Sequence, residues 1–209
     1  LNKSPSALVR CGILFLFWSV SSCSQSEASY VPQEGDIIFH TSRSSQSLAI
    51  QRATKSKLSH MGIITIRNGA PFVFEAVNPV KRTPLDQWIA RGEQKRFVVK
   101  RLKDAPSVLT PAAIDKLKAV EKSLEGKPYD LTFAWSDDRI YCSELVWKIY
   151  DRALGIEIGK LQHLKDFDLE DPAVKAKLQE RYGDAVPMEE TVISPSSIYE
   201  SERLVTVGQ

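Results

Sequence analysis

Cys142 opens the run CSELVWKIYDRALG, in which Leu145, Val146, Ile149, Tyr150, Ala153 and Leu154 recur at spacings of three and four, the pattern of one buried helix face. Gly155 follows as the left-handed residue that ends a helix. A cysteine at a helix start meets unpaired backbone N–H groups and the positive end of the helix dipole, a setting that stabilises negative charge and favours a thiolate. The chemistry this suggests is attack by sulfur on a carbonyl carbon. The ordinary alternative is a small buried hydrophobe with no chemical role. A base within reach, and a third group to orient it, would favour the first reading.

Three histidines compete for the base. His163 lies in a charged stretch that reads as surface, and His40 ends a short apolar run at a polar loop and stays in reserve. His60 begins a β-branched run to Arg67, followed by Asn68-Gly69 and a second run, Phe72 to Val77. Two such runs joined at Asn-Gly predict a hairpin. With Asn68 and Gly69 as the loop, Gly62 faces Glu75 and His60 faces Val77, so His60 and Glu75 share a face as diagonal neighbours. Gly62 is expected to leave space beside the imidazole. A three-residue loop would reverse the parity and separate the pair. Taken alone, His60 and Glu75 read more readily as a satisfied polar pair in a sheet, and the lone thiol at a helix start reverses that preference.

The remaining elements must bring these side chains together. Ile37 to Phe39 reads as a buried strand, Ser42 to Lys57 holds a short amphipathic helix, and Pro84 to Gly92 forms a helical turn anchored by Trp88 and Ile89. Phe97 to Val99 is a further strand. Thr110-Pro111 caps a helix to Glu125 with Ile114, Leu117, Val120 and Leu124 inward, and Pro172 to Arg181 forms another helix. Strands and helices mix without regular alternation, which predicts an α+β class.

The 209 residues, 43% hydrophobic, suit one domain with a real core. Residues 1–22 read as a signal peptide: Lys3 and Arg10, then the apolar run Gly12 to Val20, then Ser21-Ser22-Cys23. The apolar run is shorter than the ~20 residues a spanning helix needs. Val20 to Cys23 also resembles a lipobox, which would make Cys23 a lipidation site, residues 23–30 a tether and 31–209 the domain. Export to the periplasm, or to the cell envelope as a lipoprotein, is the expectation. Removing residues 1–22 takes away Lys3 and Arg10 and no acid, so the formal charge falls from +2 to zero. No basic surplus argues for nucleic acid. Membrane contact is expected only through the lipid anchor. Without CxxC, HExxH or a Gly-rich phosphate loop, neither metal nor cofactor is expected. Cys142 is then the only free thiol of the mature chain.

The ordered set GDIIF (35–39), SHMGI (59–63), FEAV (74–77), GKPYD (126–130) and YCSELVW (141–147) resembles the YiiX-like branch of the NlpC-type papain-like cysteine hydrolases, over roughly residues 31 to 200. That branch is circularly permuted, with the histidine strand before the cysteine helix, and the lecithin:retinol acyltransferase-like group is related to it. The resemblance implies a permuted papain-like fold, an antiparallel sheet packed against a cysteine-bearing helix. It also implies a Cys142–His60–Glu75 triad working through a thioester. The Cys142 N–H would be one oxyanion donor. Tyr129 and Tyr141 are candidate substrate contacts, with aromatic packing as the plainer role. The substrate implied is a peptidoglycan stem-peptide amide or a related peptide. A lipid amidase, esterase or acyltransferase is a second reading, and a non-catalytic envelope binding module a third. An apolar slot beside Cys142 would favour the lipid-like substrate, and a carboxylate or amine clamp the peptide.

Overall fold

The computed structural model describes residues 1–2 and 30–209; the expected signal peptide, Cys23 and nearly all of the tether lie outside the described residues. The elements in chain order are β1 (Ile37–His40), α1 (Ser45–Thr54), β2 (His60–Arg67), β3 (Ala70–Glu75), β4 (Lys81–Pro84), α2 (Leu85–Arg91) and β5 (Val98–Leu102). There follow α3 (Ala105–Val108), α4 (Pro111–Leu124), α5 (Cys142–Leu154), β6 (Gln162–His163), α6 (Pro172–Tyr182), β7 (Thr191–Val192), α7 (Pro195–Tyr199) and β8 (Leu204–Gly208).

Six strands form one antiparallel sheet in the order β4-β3-β2-β1-β5-β8, and β6 pairs with β7 apart from it. The β2–β3 hairpin turns at Asn68 and Gly69, both at positive φ, and pairs Arg67 with Ala70 through Ile63 with Phe74. This two-residue turn matches the twist of the strands and sets the register along their whole length.

Alternation along the strands divides the core. Ile37, Phe39, Met61, Ile63 and Phe74 face α4 and α5, whereas Ile38, Ile64, Val73 and Val99 face the other way and pack with Trp88 of α2. Helix α5 buries Leu145, Val146, Ile149, Tyr150 and Ala153, and ends at Gly155 in the left-handed conformation. Helix α4 starts on the Thr110 cap with Pro111 first, but its buried stripe is Ala113, Leu117, Glu121 and Leu124. The stripe is rotated from the expected one because Arg82 of β4 draws Glu121 inward, at 2.6 Å. Ile114 and Val120 are left half-buried.

Candidate active site

Cys142 is the first residue of α5 and is buried, with 2% of its surface exposed. As a first-turn residue its backbone N–H has no acceptor within the helix. The helix start is held from both sides. Glu144 accepts a hydrogen bond from the Tyr141 N–H at 3.3 Å, the return half of a capping box. The Tyr141 hydroxyl accepts one from the Ile193 N–H at 3.0 Å, and the Ser143 hydroxyl donates to the Ile193 carbonyl at 2.7 Å. Tyr141 therefore fastens the helix that begins at Cys142 to the segment before α7, and its ring meets Phe133 edge-on. Burial pushes the Glu144 carboxyl up to about 7, against the pull of Lys148 at 2.7 Å.

His60 and Glu75 meet as the hairpin register requires: Nε2 of His60 lies 2.7 Å from Oε2 of Glu75. With Nε2 taken, Nδ1 is the nitrogen left for Cys142, whose sulfur is close enough to interact with the ring. The strand alternation puts Glu75 on the sheet face away from α5. Sulfur and carboxylate thus approach from opposite faces and meet at the end of β2, where His60 is the first residue of its strand. The Gly62 position is not open space beside the ring. A Cβ there would stand 2.4 Å from Val73 Cγ1 and 2.7 Å from the Phe74 carbonyl, so the glycine permits close approach of β3.

Glu75 is fully buried and accepts from four donors: His60, the Thr83 hydroxyl at 2.6 Å, the Trp88 indole N–H at 3.0 Å and the Arg91 guanidinium. Burial alone would raise its pKa, but the bonds to His60 and Thr83 and the charge of Arg91 hold it down at about 2. Burial likewise works against a charged His60, but the bonds to Cys142 and Glu75 prevail and raise it to about 9. At neutral pH the ring is an imidazolium between sulfur and carboxylate.

Thr83, Trp88 and Arg91 were not foreseen as parts of the site. They come from β4 and α2, and the readable signal was Trp88 and Arg91 three apart on a helix just after the Glu75 strand. His40 is opposite His60 in the sheet, 5.3 Å between ring centres, and stacks on Trp88 at 3.9 Å. Burial and the neighbouring cations push it down to about 3, so it is a neutral spacer and not the base. His163 is exposed on β6, 3.0 Å from the Glu189 carbonyl.

Two cavities adjoin the dyad. The one reaching Cys142 is narrow, about 90 Å³, and walled by apolar groups of α1, α6 and the loops between them, among them Ala49, Ala53, Phe133, Leu164, Val174 and Leu178. Lys177 and Arg181 are its charged lining residues. The one reaching His60 is wider, about 340 Å³, and lined mainly by polar side chains, with Ile50, Ala76, Val77 and Leu131 as its apolar members. Gln46 and Ile50 line both. The Gln46 amide donates to the Tyr129 hydroxyl at 2.8 Å, which leaves the phenol proton free to donate elsewhere. Burial, then the charge of Cys142, holds that phenol protonated, well above its ordinary range.

Residues 31–208 match the family model described as permuted papain-like amidase enzyme, YaeF/YiiX. The chain is similar to the protein YiiX of Escherichia coli (strain K12), 55% identical over 178 residues, which cover 85% of this chain and 87% of that one. It is also similar to the crystal structure of metalloprotein yiiX from Escherichia coli O157:H7, with 55% identity and a TM-score of 0.81 over 85% of this chain and 97% of that one. Among the described residues here, no group of three or more His, Cys, Asp or Glu side chains is placed to hold a metal ion. The described residues do not fit a metal site.

Proposed function

The chain belongs to the permuted papain-like amidase family and is a cysteine hydrolase of the amidase type, and on that premise we propose that it cleaves amides whose acyl half is a single apolar chain, by way of a thioester on Cys142. The observation that carries this is the narrow apolar cavity that reaches the sulfur. A stem-peptide substrate would call for a lining in which charged and amide-reading groups predominate. The described lining is instead mostly methyl, methylene and ring surface next to Cys142, with polar groups at Gln46, Thr54, Ser143 and Ser194 and cations at Lys177 and Arg181.

The Cys142 sulfur attacks the amide carbonyl, and the resulting oxyanion is held by the Cys142 N–H and the Tyr129 hydroxyl. His60, charged before attack, gives its Nδ1 proton to the departing amine as the C–N bond breaks. The neutral ring then takes a proton from water, which attacks the thioester carbonyl. Collapse releases a carboxylic acid and returns the proton to the sulfur–imidazole pair. Glu75 keeps the ring in place and supports its positive charge. The proposal places this chemistry in the bacterial envelope, reached by the leader at residues 1–22 and anchored through Cys23. No helix among the described residues is long and apolar enough to cross a membrane.

The test is an acyl-chain series on one reporter amine. Each buried methylene is worth about 0.8 kcal/mol, roughly fourfold. The expected result is a kcat/KM that climbs with chain length until the cavity is filled. A flat series, or a preference for short peptidyl groups, would refute the apolar acyl half.

A further inference from the structure

We infer that the polar cavity beside His60 receives the amine half of the substrate, and that Arg91 selects an anionic group on it. This rests on the amidase reading above and adds the chemistry of the leaving group. The cavity is lined by Ser42, Ser59, Gln46, Asn78, Tyr129 and Arg91 among others, and no Asp or Glu is among its lining residues. It shares Gln46 and Ile50 with the acyl cavity, so one amide can lie across the dyad with a half in each.

Arg91 is the fixed cation of this cavity. One of its terminal nitrogens bonds Glu75, and its side chain is 44% exposed. A guanidinium carries five N–H donors in a planar fork, and no further Arg91 hydrogen bond occurs among the described residues. The remaining donors are those a carboxylate or phosphonate takes in bidentate fashion. Arg91 lies behind Glu75, which lies behind Nε2, whereas the scissile nitrogen must approach Nδ1. The anion therefore sits several bonds from the amide nitrogen, at the far end of the amine half.

The experiment keeps a butanoyl chain and varies the amine: β-alanine for a carboxylate, 2-aminoethylphosphonate for a phosphonate, ethanolamine for a neutral group and ethylenediamine for a cation. The parent protein is expected to favour the anionic amides over the ethanolamide by tenfold or more in kcat/KM, and to disfavour the cation. In Arg91→Gln the anionic and neutral amides should converge to within about twofold, and Arg91→Lys should restore part of the gap. The ethanolamide rate separately reports any effect passed through Glu75. Equal rates in the parent, or a proportional fall for every amide in Arg91→Gln, would overturn the assignment. Dissociation constants of the same amides on Cys142→Ala separate the two readings. Anion-selective binding that Arg91→Gln abolishes, without turnover in the parent, would uphold the cavity and sink the amidase chemistry; turnover without selectivity would do the reverse.

Discussion

His60 is asked to be charged in a buried place, and the cost of burial is met by sulfur on one side and Glu75 on the other. Its pKa, raised from 6.5 to about 9, fixes the sign of two effects. The folded protein holds the His60 proton where the unfolded chain has lost it, so this stabilisation is complete below about 6.5 and disappears as pH rises through about 9. Chemical denaturation of the parent and of His60→Gln should show their largest difference near pH 6 and a shrinking one toward alkaline pH. Turnover should fall along the same limb, since a neutral ring cannot protonate the departing amine; a rate still rising above about pH 9 would contradict this role. The His60–Glu75 pair was legible in the sequence because a two-residue Asn-Gly turn leaves only one parity. The clamp of Thr83, Trp88 and Arg91 on Glu75 was not, because it depends on how α2 folds back over a sheet face.

Among the elements, the β2–β3 hairpin and α5 were readable from local pattern, and their meeting point was not. Gly62 illustrates the difference. Its place in SHMGI suggested room beside the imidazole, yet the missing side chain is what lets Val73 and the Phe74 carbonyl close on β2. Gly62→Ala is therefore expected to destabilise the fold by about 1–3 kcal/mol, as overpacking does, and to lower activity by pushing Glu75 from the ring. A urea midpoint equal to the parent's would show that the strands tolerate the methyl. Helix α1, read only as amphipathic, supplies a wall of the acyl cavity through Ala49 and Ala53. Ala53→Phe should fill that space, cutting the rate on butanoyl amides by tenfold or more and sparing acetyl amides. Equal losses on both would mean that α1 does not bound the acyl chain.

At the scale of the whole molecule, the sheet separates two jobs. Helices α4 and α5 bury one face and deliver Cys142, and α2 covers the other and holds the Glu75 carboxylate in place. The strand end between them is the one location where the two can meet across His60. The α+β class was readable because each element carries its own signal in sequence, and the permuted papain-like order through the resemblance carried by the ordered set of short motifs. The cavities were not, because they are built from side chains of α1, α6 and loops far apart along the chain. The most direct measurement of the central claim is intact-mass analysis of the protein quenched during turnover of a butanoyl amide, with peptide mapping. The account predicts one butanoyl group in thioester linkage on Cys142, and neither adduct nor turnover in Cys142→Ala. Turnover that persists in Cys142→Ala, or an acyl group attached at any other residue, would contradict it.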